Sequence, residues 1–282
     1  MSLNEQVLTE ECTAEGTHTA IAPKTTGPLR RRAVGQSVME EVLALQAEMP
    51  RRGALARLFG TRLLSAPAQS WYTGALGERA VGRILDRLGP EWTVLHAVPV
   101  GDRSSDIDHV VIGPTGVFTI NTKHHPGARI WTAKGALMVN GTRVPYIRNS
   151  AHEAKRAGKL LSAAVHAGVT AEAAIVVVGS QQLTQRDRHV SVTILTPDRL
   201  VNWMTDRPVR LSAGEVSPLS AAAAQPSTWT NSPPVLIDPV EVVAPFEALM
   251  RAVDQARRRR LAWLLAAPAA LLASAAGVLP PF

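Results

Sequence analysis

Cysteine is nearly absent from this chain: its 282 residues contain one, Cys12. That excludes an internal disulfide and any cysteine-based zinc site, and it fits a reducing compartment. Acidic residues are in deficit, 23 against 30 lysines and arginines, which leaves a formal net charge of +7 and a pI near 10.3. Such a balance suits an anionic partner, either nucleic acid or the anionic face of a membrane. The N-terminus lacks an apolar run and carries Glu5, Glu10 and Glu11, which excludes a secretory signal. No internal repeat is present. What remains is an ordinary globular balance of 46% hydrophobic and 19% charged residues. That is enough for one sizeable core with appendages, or for two small domains.

Organisation changes along the chain. Residues 1–36 have no periodicity and run through Arg30, Arg31 and Arg32, the composition of a disordered arm. Residues 37–70 read as a basic amphipathic helical region. Ser37 and Glu40 give a capping-box pattern ahead of Val38, Val42 and Leu45, and Pro50 limits that helix. Beyond it Leu55, Leu58, Phe59, Leu63 and Leu64 recur at helical spacing, with Arg51, Arg52, Arg57 and Arg62 between them. Three uses fit this pattern. The helix can lie on a membrane surface, run beside a phosphate backbone, or pack on the domain with its arginines in solvent.

The compact domain is expected over 71–205. A helix at 74–88 buries Leu76, Val81, Ile84, Leu85 and Leu88 and stops at Gly89-Pro90. Extended segments follow at 93–100, 107–112 and 116–123, the last two joined as a hairpin across Gly113-Pro114-Thr115-Gly116. Further strands are expected at 128–132 and 136–145, the second folding over Asn140-Gly141. A long helix at 149–168 precedes a continuous apolar run, 173–178, of the kind found in a central strand. A strand at 190–195 and a short helix after Thr196-Pro197 close the domain.

Residues 206–239 shift to Ser, Pro and Ala and read as a linker, with room for a short helix inside it. Residues 240–260 read as a basic helix ending in Arg257, Arg258, Arg259 and Arg260. The run 261–279 then has no charged residue, and its 19 residues, at about 1.5 Å each, approach the roughly 30 Å of bilayer hydrocarbon. A transmembrane helix is expected there. The preceding arginines place the domain at the cytoplasmic side of the cell membrane. Alanine is only marginally apolar and Pro268 sits mid-run, features of the competing reading, a buried or surface-lying apolar helix.

The middle of the chain carries residues suited to phosphodiester chemistry. Hydrolysis of that bond needs a nucleophilic water, a divalent cation to acidify it and a fixed positive charge nearby. Magnesium or a similar hard ion takes carboxylate and carbonyl oxygens. A recurrent arrangement puts one acid on a helix, a second on a strand, and a third two residues from a lysine on the neighbouring strand, so that both face one side. Here the helix offers Glu78, the first hairpin strand Asp108, and the second Asn121 and Lys123. Lys123 ends an apolar run, Val117, Phe118 and Ile120, that belongs in a core. The plainer readings are a solvated Glu78, Asp106 as a loop or edge residue, and His109, His124 and His125 as phosphate contacts or exposed side chains rather than zinc ligands. Gly74 and Gly77 both fit close helix packing at the site, and of the two Gly77 is the candidate for a functional role.

These segments resemble a known family. Residues 71–78 (WYTGALGE), 105–125 (SDIDHVVIGPTGVFTINTKHH) and the following PGARIW are similar to the nuclease-related domain, NERD, a relative of the PD-(D/E)XK nucleases. The resemblance runs from about Trp71 to Met204. It implies a restriction-endonuclease-like α/β fold, with a mixed central sheet flanked by helices and a site at one sheet edge, to which this chain adds an N-terminal helical arm and a C-terminal apolar helix. It implies further that Glu78, Asp108 and Asn121 hold magnesium or manganese, that Lys123 positions water and stabilises charge, and that the partner is DNA or RNA. Arg51, Arg52, Arg57 and Arg62 are the expected nucleic-acid contacts. One position departs from the pattern: where the family has Glu in Glu-x-Lys, this chain has Asn121, which offers a carbonyl oxygen but no charge. Glu153, on the next helix, is a candidate replacement carboxylate. A non-catalytic nucleic-acid-binding module and a membrane-surface scaffold that kept the fold are the alternatives.

Overall fold

A computed structural model describes residues 29–50, 52–61, 63–101, 105–133, 135–185, 191–232 and 237–275. The expected hairpin forms its centre: β2 (Asp106–Gly113) and β3 (Gly116–His124) pair antiparallel around the Pro114-Thr115 turn. β1 (Thr93–Pro99) lines the outer side of β2, and the apolar run forms β7 (Ala171–Val178), parallel to β3. With β9 (Thr193–Leu195) the order of this five-stranded sheet is β1-β2-β3-β7-β9. A second, four-stranded sheet has the order β6-β5-β4-β8, with β4 (Arg129–Ala133), β5 (Ala136–Val139), β6 (Thr142–Val144) and β8 (Gln182–Gln185). Asn140 and Gly141, with φ of 49° and 89°, turn β5 into β6 through the left-handed backbone that Asn-Gly adopts most readily.

Strand alternation assigns the two faces of the main sheet. Val111, Phe118, Ile120 and Val176 point to one side, where α3 (Ala66–Leu85) and α5 (Leu200–Thr205) cover them with Val81, Leu85, Leu200 and Met204. Val110, Ile112 and Val117 point to the other, under Ala157 and Leu161 of α4 (Tyr146–Val165). Each face buries a branched or aromatic layer against a helix stripe, the arrangement that drives α/β layering. The result is a mixed α/β fold with helices flanking mixed sheets.

Several segments depart from the sequence reading. Residues 29–36 are ordered, not part of a disordered arm: Leu29 is fully buried beside the main sheet, and its N–H donates to Ala224 O at 2.9 Å. The first helix, α1 (Gln36–Ala47), is entered through Gly35 at φ 71° without a side-chain cap. Ser37 instead accepts from Arg32 at 2.8 Å, so the expected capping box is not made. α3 starts eight residues before the expected Gly74, because Ser65 caps it by accepting from Ala68 N at 3.2 Å and Pro67 fits its first turn.

The stretch 206–239 is not a linker over its described length. Ser212 and Glu215 form a complete capping box that opens α6 (Ala213–Ala223), and α7 (Pro226–Trp229) follows. Leu219, Ala223, Ala224 and Trp229 enter the main core. Finally, one helix, α8 (Pro239–Ala275), joins the basic segment to the apolar run. Its first half buries Val242, Phe246 and Val253 against α1 and α3. Among the described residues no helix is long and apolar enough to cross a membrane. Of the expected span only 261–275 lie among the described residues, preceded directly by Arg257, Arg258, Arg259 and Arg260, and 276–279 fall outside them.

Candidate functional site

Asp108, Asn121 and Lys123 share one face. The hairpin register pairs His109 with Ile120, and one step further it sets Asp108 beside Asn121. Alternation then turns Asp108, Asn121 and Lys123 toward α4, opposite to the Val111 and Ile120 layer. The Thr122 N–H donates to Asp108 Oδ2 at 2.6 Å and fixes that carboxyl. Asn121 Nδ2 donates to both oxygens of Glu153, at 3.0 and 3.3 Å. The Lys123 ammonium lies 5.1 Å from the centre of the Tyr146 ring, a cation–π contact from the first turn of α4. The expected replacement acid is therefore a direct neighbour of the residue it would replace. The site lies along β2 and β3, two interior strands of the sheet, not at a lateral edge.

Glu78 approaches from the other helix layer. It is 5% exposed, so it is not a solvated helix carboxylate. Gly77 lets α3 touch β3: a Cβ there would stand 2.6 Å from His124 Cβ and 3.3 Å from Thr122 Cγ2. Gly74 has no such neighbour and is not a packing glycine. His124 Nδ1 bonds to Thr73 O at 2.8 Å and closes the same joint.

Burial dominates the electrostatics. It holds the Glu78 carboxyl well above its ordinary range, and repulsion from Asp108 and Asp106 adds to the effect. Burial also pushes Asp108 up to about 7 against the opposing pull of Lys123, with Asp106 adding repulsion. Asp106 and Glu153 are raised chiefly by burial too, opposed by Ser37 and Arg32 at the first and by Asn121 and Lys123 at the second. Glu78 Oε2 and Asn121 Oδ1 are buried without a hydrogen-bond partner. The carboxyls are close enough to repel. Among the described residues, however, no three His, Cys, Asp or Glu side chains close on a common point in the manner of a metal cluster.

Other expected residues lie elsewhere. His109 is fully buried on the α3 side, where its Nδ1 is 2.9 Å from His96 Nδ1, so it is neither exposed nor a phosphate contact. Burial lowers both imidazoles, His96 to about 4. Across the ladder from Asp108, Ala97 takes φ 48°, a left-handed conformation rare for a non-glycine residue. Arg52 folds back on Ala56 O and Thr61 O, and Arg57 is exposed at the corner between α8 and the short helix α2 (Ala54–Leu58). Arg51 and Arg62 lie outside the described residues. The sequence reading missed a cleft of about 350 Å³ beside the site, lined by Asp106 and Glu153 together with Arg148, His152 and Arg156. Its signal was present, since those three cationic or polar side chains recur every fourth residue on α4.

Comparison with known proteins falls on the same segment. The family model for the nuclease-related domain matches residues 73–178. An uncharacterised protein of Bacillus anthracis is 40% identical over 75 residues, which are 25% of this chain and 35% of that protein. The chain thus spans little more than a third of the length of that curated relative. No solved structure matches. The matched segment holds Glu78, Asp108, Asn121, Lys123 and Glu153, and residues 73–178 of this chain are a nuclease-related domain, NERD.

Proposed function

We propose that this domain hydrolyses phosphodiester bonds in nucleic acid, as a member of the restriction-endonuclease-like, PD-(D/E)XK group. The observation that carries the reading is the Asp108, Asn121 and Lys123 face, with Glu153 bonded to Asn121. Its oxygens suit a hard divalent ion, magnesium or manganese: carboxylates from Asp108, Glu78 and Glu153, and the unpartnered Asn121 Oδ1. When bound, such an ion would acidify a water and neutralise phosphate charge. Glu153 supplies the negative charge that Asn121 lacks. Thr122 keeps Asp108 oriented through its N–H. Lys123, steadied over Tyr146, stabilises charge that develops on the phosphoryl oxygens and positions the attacking water. The cleft lined by Arg148, His152 and Arg156 is wide enough to admit a phosphate of the substrate backbone.

A second reading has its own support. The carboxyls do not close on one point among the described residues, which favours a non-catalytic nucleic-acid-binding module. Cleavage of labelled DNA and RNA with magnesium or manganese decides between the two, with chelator, Lys123→Ala and Asp108→Ala as controls. Metal-dependent cleavage lost in both variants is expected. Binding without cleavage, and a melting temperature indifferent to either ion, would instead establish the module.

A further inference from the structure

The basic stretch before α3 packs only its end on the domain, where Leu64 is buried and Leu63 lies against the same cluster. α2 has no buried residue: Leu55 is 71% exposed, Leu58 52% and Phe59 44%. The end of α8 behaves likewise, with Leu261 at 58%, Leu264 at 61% and Leu265 at 67%. The two segments touch. Trp263 Nε1 donates to Leu58 O at 3.1 Å, Arg259 donates to Arg57 O at 3.0 Å, and the Phe59 and Trp263 rings are 5.2 Å apart. Gly60, at φ 61°, lies so close to α8 that a Cβ would meet Ala256 O at 2.2 Å. This joint sets two exposed leucine faces side by side.

Along the sequence these two segments carry charge of one sign. Residues 51–64 contain Arg51, Arg52, Arg57 and Arg62 and no carboxylate, and 255–275 contain Arg257, Arg258, Arg259 and Arg260 and no carboxylate. A nucleic-acid backbone would match the arginines and leave the leucines in water. A second copy of the chain would bury the leucines but bring unbalanced arginines against one another. Anionic phospholipid satisfies both, because its headgroups meet arginine and its acyl boundary meets leucine and tryptophan.

We infer that the α2–α8 corner docks on the headgroup layer of an anionic lipid bilayer. Docking lays this surface in the interface without requiring a helix to span it, and it is independent of whether the nuclease-related site is active.

Co-sedimentation of the full chain with vesicles tests this, using phosphatidylcholine alone and phosphatidylcholine mixed with phosphatidylserine. Binding to the mixed vesicles, weakening with salt, is expected. Leu264→Glu combined with Leu265→Glu should reduce partitioning by about tenfold or more. Arg258→Gln combined with Arg260→Gln should flatten the salt dependence. Unchanged circular dichroism and melting of both variants would show that folding is intact. Several results overturn the inference: equal binding to neutral vesicles, leucine variants that still bind, or bound protein that high salt and alkaline carbonate fail to release. A dimer in light scattering that the leucine variants abolish, with no vesicle binding, would assign the corner to a second copy. Loss of nucleic-acid binding in the arginine variants, again with no vesicle binding, would assign it to the polymer.

Discussion

Replacing Gly77 by alanine tests whether α3 is seated on β3 as closely as the site requires. The added methyl would lie 2.6 Å from His124 Cβ, about 1 Å inside an ordinary carbon–carbon contact of roughly 3.5–4.0 Å. His124 cannot yield easily, because its ring is bonded to Thr73 O at 2.8 Å on the same helix. Relief therefore requires α3 and β3 to separate. Overpacking of this kind costs about 1–3 kcal/mol, and the helix preference for alanine over glycine returns about 1 kcal/mol. The net loss is about 0–2 kcal/mol, a fall of up to roughly 8 °C in Tm for a domain of this size. Gly74, one turn earlier and with nothing within 4 Å, supplies the control. Gly74→Ala gains the same helix preference without the clash and should stabilise by about 0.5–1 kcal/mol. Because Glu78 is the next residue, a shift of about 1 Å would also cost as much as about a hundredfold in any activity. Urea denaturation of the two variants is the assay. If Gly74→Ala and Gly77→Ala move stability in the same direction and by similar amounts, the close seat of α3 is wrong.

Three further outcomes are expected. Asn121→Glu should lower Tm without metal, because it replaces the amide donor to Glu153 with a second carboxylate and leaves an unpaired charge worth about 1–3 kcal/mol; manganese, or Glu153→Gln in the same chain, should restore it, and a melt that stays low in both cases argues against a shared site. His96 makes stability acid-sensitive: its folded value, about 4, lies below the unfolded 6.5, so its contribution is full above 6.5 and is lost as pH falls toward 4, on the order of 3 kcal/mol. Burial of Asp108 works in the opposite sense, its contribution being lost as pH rises through about 7, so the comparison to make is wild type against His96→Gln, whose difference should shift in favour of the variant between pH 7 and 5 and would otherwise exclude the buried imidazole pair. Trp229→Ala should cost about 3–5 kcal/mol by denaturant titration, since Trp229 is 1% exposed and donates to Ala223 O at 2.7 Å; a cost below 1 kcal/mol would return this stretch to a linker.

The hairpin and its site face were legible because both rest on period-two alternation and a turn that only a few residues make. Asp108, Asn121 and Lys123 fall on one side by counting alone, and the same count would have placed His109 with Val111 in the opposite layer. Glu153 could be suspected, but not joined to Asn121, because the angle at which α4 crosses the sheet is not a local property. The helices between Ser212 and Trp229 were obscured by composition. Serine and alanine read as linker until the Ser212 and Glu215 box is weighed with Val216, Leu219 and Ala223 at helical spacing, and the burial of Trp229 depends on a sheet assembled from distant segments. The exposed leucines of α2 misled in the other direction. Amphipathic spacing states that a face is apolar, not what covers it.

The segment shared with other proteins and the segment that folds are different lengths. The family match spans 73–178, yet Leu29 on one side and Leu219, Ala223 and Trp229 on the other complete the layer over β1 and β2. Phe246 of α8 lies against Tyr72, ring centres 5.7 Å apart, and Arg79, next to Glu78, is paired with Glu247 at 3.0 Å. A fragment cut at the homology limits would expose the outer side of α3 and lose part of the wall behind the sheet. Transplanting this nuclease-related domain into another protein therefore means moving the flanking turns of both ends with it, from Leu29 to Ala256, the last residue of α8 buried among the described ones.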